Sequence, residues 1–216
     1  MTTTALLQAA SLFALLGYLA APSGAGAGGS VPVVDAKVVS EEEAEGYGGG
    51  EELLPGCSWY CGGSVREVRA SSALAPQGKA SYVAKQAHDF NEYTAWVEGK
   101  PDDGVGEWLE YVFQFPSERK GLGVNGLIVV NGYAKSPAVR KANSRVKRLA
   151  LEVDGKPWAE IRLLDTPRIQ TAAFPVVMFP PGREVVLRFR ILEVYRGEKY
   201  RDTAISEILF EGVGVH

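Results

Sequence analysis

The sequence predicts an all-β fold, a sandwich or barrel of short strands, and three observations carry that prediction. Apolar residues alternate with their neighbours at period two in several stretches, turn signals separate those stretches, and no convincing helical period falls among them. Leu109, Tyr111, Phe113 and Phe115 alternate with Trp108, Glu110, Val112 and Gln114. Leu149, Leu151 and Val153 alternate with Arg148, Ala150 and Glu152, and Val185, Leu187, Phe189 and Ile191 with Val186, Arg188 and Arg190. Val124 to Val130 and Ile205 to Phe210 are further β-rich runs. Pro116-Ser117, Asn131-Gly132, Asp154-Gly155, Pro180-Pro181-Gly182 and Arg196-Gly197 supply the turns. The period-two pattern also assigns Trp96 and Trp108 to the core.

Length allows one such domain with tails: 216 residues are short for two. Hydrophobic residues at 46% and charged residues at 23% exclude a wholly disordered chain. Charge is uneven. Residues 28–63 carry seven acidic side chains against Lys37 alone, so the part from Ser64 onward is net positive. That excess is mild and no Lys/Arg run interleaves with aromatics, which argues against nucleic acid.

The first residues point to export. Ala5 to Ala21 is an apolar run broken by Gln8 and Ser11, and Ala25-Gly26-Ala27 follows as a small-residue cleavage pattern. Residues 1–27 therefore read as a signal peptide, leaving no transmembrane span once cleaved and placing the mature chain outside the cell. Residues 28–63 are Gly-rich and acidic, a flexible leader expected to bury too little to offset its ordering entropy. In an exported chain the pair Cys57 and Cys61 is expected to form a disulfide, and the folded domain is expected over 64–216.

Catalytic patterns are mostly rejected. Gly121 to Gly126 matches G-x-G-x-x-G, but Leu127 to Val130 continues as a strand, where a dinucleotide fingerprint needs a helix. His88 and His216 are the only histidines, and His88 reads better as a packed residue than as a base. A carboxylate-based glycosidase remains as the alternative: Glu98 and Glu107 lie close to Trp96 and Trp108 in a Gly-rich loop. The competing reading is a loop whose acids are solvated or paired. Asp89, Asn91 and Tyr93-Thr94 place oxygen donors at short intervals, as calcium prefers, without an EF-hand's glycine or its bidentate glutamate.

Recognition adds to this. Tyr82 to Trp96 (YVAKQAHDFNEYTAW) resembles the Ala-x-Asp-Gly-Asn-x-x-Thr-x-Trp signature of discoidin, or coagulation-factor type C, domains, and Ala204 to Ile208 resembles the Glu-Ile segment that closes that fold. TAWVEG (94–99), GVGEW (104–108), NGYAKS (131–136), NSRVKRL (143–149) and VYRGEKYRDTAISEI (194–208) are similar to the glycan-binding, translocation-type domain of secreted NAD glycohydrolases. The resemblance covers about residues 64–213 and implies a galactose-binding-like jelly-roll β-sandwich of about eight antiparallel strands. It implies a structural cation, often calcium, held by Asp89, Thr94 and Glu207 with a carbonyl from Asn91. The departure is Phe90, where many relatives have glycine. It also implies a non-catalytic module that binds a glycan or a glycosylated surface, with a protein-binding scaffold as a further alternative. Tyr133, Tyr195, Tyr200 and Arg201, in turn-rich segments, are the candidate ligand residues.

Overall fold

The computed structural model describes residues 30–40, 65–118 and 121–214. The signal peptide, the Cys57–Cys61 pair and most of the expected leader lie outside the described residues. Eight strands of six or more residues are present: β3 (Val65–Ala70), β5 (Trp108–Gln114), β6 (Gly123–Asn131), β7 (Ser144–Val153), β8 (Lys156–Arg162), β9 (Gln170–Met178), β10 (Glu184–Tyr195) and β11 (Thr203–Val213). Three short ones join them: β1 (Val33–Asp35), β2 (Lys37–Val38) and β4 (Trp96–Val97). The expected number of about eight therefore matches the long strands, and the described residues hold eleven in all.

Hydrogen bonds order the strands β2-β9-β6-β11-β7-β10-β5-β3, with β8 beside β7, β1 beside β8 and β4 beside β11. Two halves meet at a narrow junction, where β11 and β7 pair in parallel over Thr203↔Ser144 and Ala204↔Arg145. The chain folds back there into two facing layers, β9-β6-β11 and β8-β7-β10-β5-β3. Ring contacts show it, because they join strands that share no ladder. Phe210 of β11 meets Tyr111 and Phe113 of β5 edge-on, both at 5.0 Å, and Phe179 just past β9 stacks on Phe113 at 4.6 Å. Offset and T-shaped ring pairs of this kind contribute about 0.5–1.5 kcal/mol each beyond their burial.

The alternation read from sequence sets the inner face. Leu109, Tyr111 and Phe113 on β5 and Val185, Leu187, Phe189 and Ile191 on β10 are buried, opposite Leu127 and Val129 of β6 and Ile208 and Phe210 of β11. Trp96 is fully buried as expected, its indole N–H donating to the Ser72 carbonyl at 2.8 Å. Trp108 is a correction. It sits one residue out of phase with Leu109, so it faces outward, half-buried beneath the Arg188 guanidinium 4.6 Å from its ring. Asp154-Gly155 turns β7 into β8 with both residues at positive φ, 48° and 75°, as a tight hairpin requires.

Two further features depart from expectation. Residues 33–35 and 37–38, inside the segment expected to be a flexible leader, are strand: β1 pairs in parallel with β8, and β2 antiparallel with β9. Ala36 between them is buried, so this strap crosses from one layer to the other. With β11–β7 it makes the sandwich not wholly antiparallel. A short helix, α1 (Pro137–Ala142), opens on Ser136, whose hydroxyl accepts from Val139 N at 3.2 Å. It tucks the chain between β6 and β7 against the loop end of the sandwich.

Candidate functional site

The loops after β6 and before β11, together with α1, β4 and the segment 74–82, enclose a cleft of about 250 Å³. Its apolar wall is Tyr82, Tyr133, Tyr200 and Val97, and its polar groups include Lys135, Asn143 and Asp202. Tyr82 and Tyr133 meet edge-on at 6.2 Å within a small apolar cluster that also holds Ala95, Val97 and Ala204. That packing fixes both rings. Tyr133 is only 9% exposed, whereas Tyr200 is 43% exposed. Burial and the neighbouring Tyr82 push the Tyr133 phenol up from its ordinary pKa, so it stays a neutral hydroxyl.

The four ligand residues expected from sequence do not all meet. Tyr133 and Tyr200 share the cleft. Tyr195 ends β10, pairs with Arg145 of β7, and donates its hydroxyl to the Leu163 carbonyl at 3.1 Å; it lines a separate groove with Lys147 and Arg162. Arg201 lies between two cleft residues, Tyr200 and Asp202, but its guanidinium pairs with Asp103 at 2.9 Å. Sequence reasoning missed Tyr82, Lys135 and Asp202. Tyr82 opens the discoidin-like run and nothing local marks it as a wall of a cleft 51 residues ahead of Tyr133.

The cation candidates do converge. The Asn91 amide lies within hydrogen-bond reach of Asp89 Oδ1 at 3.1 Å and of Glu207 Oε1 at 2.9 Å. The Thr94 hydroxyl reaches both Asp89 oxygens, at 3.0 and 2.8 Å, and the Asn91 carbonyl at 2.9 Å. Glu207 is 1% exposed and its Oε2 has no hydrogen-bond partner. Burial, reinforced by the Asp89 carboxylate, pushes Glu207 up to about 9. Two carboxylates close enough to share the Asn91 N–H need a proton or a cation between them. The all-oxygen set of Asp89, Glu207, Thr94 and the Asn91 carbonyl suits a hard cation such as calcium. No cluster of three or more His, Cys, Asp or Glu occurs among the described residues, so carbonyl and hydroxyl oxygens would complete the shell. Phe90 itself takes the left-handed turn conformation, with φ +62°. A side chain in this left-handed region costs about 1–2 kcal/mol, offset by packing of the ring on His88 at 5.6 Å. His88 is itself buried, with Nδ1 2.8 Å from the Ile208 carbonyl.

The acids of the alternative reading serve the loop that carries them. Glu98 is fully buried; its Oε1 accepts from Thr203 N at 3.1 Å and its Oε2 from Lys100 N at 2.6 Å. Burial pushes it up to about 7, the two amides working against that shift. Glu107 accepts from the Ser71 hydroxyl at 2.6 Å and also from Ser72. These two carboxylates stitch residues 98–107 to the segments around Ser71 and Thr203.

Residues 59–211 match the model of the NAD glycohydrolase translocation F5/8 type C domain family. No curated protein matches the sequence. Among solved structures, the chain is similar to the CBM32-1 and CBM32-2 domains of Clostridium perfringens ZmpB, with a TM-score of 0.54 and 10% identity, covering 86% of this chain and 42% of that one. It thus spans about two-fifths of that structure, and the likeness is one of fold. A putative chitobiase fragment from Bacteroides thetaiotaomicron follows at a TM-score of 0.46 and 14% identity, over 71% of this chain and 90% of that one. The mycobacterial arabinofuranosyltransferase AftD gives 0.44 and 19% identity, over 66% and 10%.

Proposed function

We propose, from the premise that this chain belongs to the NAD glycohydrolase translocation F5/8 type C domain family, that it is an exported, non-catalytic module binding a glycan in the tyrosine cleft. One observation carries the reading: Tyr82, Tyr133 and Tyr200 wall a single cleft at the loop end, beside the polar ends of Lys135, Asn143 and Asp202. Sugars present apolar C–H faces to rings and hydroxyls to such polar groups. The packed pair Tyr82 and Tyr133 supplies a wall already in place, and the exposed Tyr200 supplies the ring that a sugar covers. An open cleft that orders few groups binds with Kd of about millimolar to micromolar, roughly −4 to −8 kcal/mol.

The cation pocket supports this as structure. Calcium there would neutralise Asp89 and Glu207 and tie the 88–94 turn to β11. At a hundredfold above its Kd, an ion that binds only the folded state raises stability by about 2.7 kcal/mol. Melting with calcium and with chelator reads this directly; identical midpoints, with no metal by elemental analysis, would remove the site.

Export rests on residues 1–27, and cleavage after Ala27 makes Gly28 the first residue found by mass spectrometry of the secreted chain. Among the described residues no helix is long and apolar enough to cross a membrane. A disulfide between Cys57 and Cys61 would close only a small ring, so Cys57→Ser/Cys61→Ser should cost no more than about 2 kcal/mol.

A glycan array followed by calorimetry tests the function. Tyr200→Ala is the informative variant, because its ring is exposed while Tyr133 packs; it should weaken binding up to about tenfold at an unchanged melting point. If no glycan binds the folded protein at millimolar concentration, the cleft is better read as a protein-binding surface. The glycosidase alternative is disfavoured by the burial of Glu98 and the two amides it holds. Hydrolysis of an array hit that Glu98→Gln abolishes, with folding intact, would reinstate it.

A further inference from the structure

We propose that the saccharide taken by this module is acidic, its carboxylate or sulfate held by Arg196 and Arg201 at the side of the tyrosine cleft. The inference rests on the glycan-binding reading above and adds the chemical class of ligand. Asp103 accepts from Arg196 Nη2 at 2.7 Å and from Arg201 Nε at 2.9 Å and Nη2 at 3.2 Å. One aspartate thus serves two arginines. The same ratio recurs beside it, where Asp165 receives Arg145 at 2.6 Å and Arg140 at 2.8 Å. Arg145 links the two groups by donating to the Arg196 carbonyl at 3.3 Å.

In direct ion pairs each group sets two arginines on one aspartate, and in the Asp103 group Asp102 adds a longer-range attraction to Arg201. In the Asp165 group the arginines are nearly buried, at 11% and 10% side-chain exposure. In the Asp103 group they are open, at 73% for Arg196 and 59% for Arg201, over an aspartate at 11%. Asp103 is held below the usual carboxylate range by Arg201 and Arg196, so it stays charged and keeps both guanidinium planes in place. Positioned, exposed guanidinium forks match an oxyanion better than a lysine does.

Arg201 adjoins the cleft along the chain, flanked by Tyr200 and Asp202, which line it, while its guanidinium is held on Asp103. Asp202 disfavours an anion inside the cleft, so the neutral face of the sugar packs on tyrosine while the acidic group projects toward the arginines.

Matched neutral and acidic forms of the same saccharides (plain, sialylated, uronate-bearing and sulfated) on an array, then calorimetry of each matched pair, test this. The acidic member should bind about 3–10-fold tighter, and the preference should shrink as ionic strength rises from about 0.1 to 1 M and the screening length falls from about 10 to 3 Å. Arg196→Gln/Arg201→Gln should bring the acidic-to-neutral ratio toward one, with folding checked by melting. Sialylated, uronate and sulfated arms separate a carboxylate from a sulfate ligand. Equal or better binding of the neutral members, or a preference indifferent to salt, overturns the inference and leaves the glycan reading standing. Binding of no saccharide at all overturns both.

Discussion

On the outer face of the layer β8-β7-β10-β5-β3, cations meet anions one for one; at the loop end, two arginines meet each aspartate. Arg188 sits between Glu110 at 2.5 Å and Glu152 at 3.5 Å, Arg190 joins Glu152 at 3.1 Å, and Arg148 joins Glu160 at 3.0 Å. Neighbouring strands hold these side chains in register, so each charge finds its partner without help from a ligand. Such a self-neutral face also discourages edge and face association with other sheets. At the loop end Arg145 sits on a ladder, but Asp103, Asp165, Arg140, Arg196 and Arg201 lie outside the strands. The geometry there comes instead from buried carboxylates and backbone contacts. The sheet face pairs its own charges, while the loop end sets two arginines on each aspartate, which is why the proposed ligand site is put there.

The comparison can be strained at its strongest point first. At Gly197 an added Cβ would lie 2.4 Å from the Ala142 carbonyl oxygen and 2.6 Å from that of Tyr200. Gly197→Ala should therefore cost about 3 kcal/mol, near the top of the overpacking range, and blunt glycan binding by shifting Tyr200. A wild-type melting point would show that the loop end is not held by its backbone.

The next test uses pH. Glu98 is raised from 4.5 to about 7 by burial. Between those values the unfolded chain has released the proton and the folded chain keeps it, so this group stabilises the fold most at low pH. Its contribution falls as pH rises and levels off above about 7. The expected loss across that range is about 2–3 kcal/mol. Asp103 and Asp165, held low by their arginines, act in the opposite sense at more acidic pH. The clean readout is thus the difference between wild type and Glu98→Gln, which should change from about pH 5 to pH 8. A difference flat with pH would show that Glu98 does not titrate there.

On the sheet face, Arg188→Ala removes the partner of Glu110, itself 7% exposed. Denaturant unfolding should show a loss of about 1.5 kcal/mol, below the cost for a fully buried pair because Arg188 keeps contact with water. Arg201→Ala should have the smallest effect on stability, with no resolvable shift in melting point, because Asp103 retains Arg196. If Arg201 proved as costly to remove as Arg188, the loop end would be a structural network like the sheet face.

How much of this was legible depends on what the residues encode locally. β5 and β10 were plain, because one face of each meets the core along its whole length and period two follows. β9 was not: Pro175 interrupts it where the strand no longer pairs with β2, and its outer residues Val176 and Met178 are exposed apolar ones that blur the alternation. β8 begins on Lys156-Pro157, which reads as turn. The strap was hidden by averaging, since Val33, Val34 and Val38 sit in a stretch dominated by glycine and acid. Of the candidate cation residues, Asp89, Asn91 and Thr94 showed in sequence as closely spaced oxygen donors, whereas Glu207, 118 residues from Asp89, was recognisable only through the discoidin resemblance. Tyr195 and Tyr200 seemed to share one segment, but the first still belongs to the β10 ladder and the second does not.

The strap also has a consequence in time. Val33 pairs with Glu160 and Lys37 with Thr171, so β1 and β2 cannot seat until β8 and β9 have been made and brought together. Closing so long a loop is entropically slow and is deferred until most local structure exists. The strap also precedes residue 59, where the family match begins, so the sandwich that forms ahead of it is the part shared with relatives. Contacts made after the rate-limiting barrier leave folding speed alone and govern how fast the finished molecule comes apart. A variant lacking residues 31–39 should refold in stopped-flow at the wild-type rate and unfold several times faster.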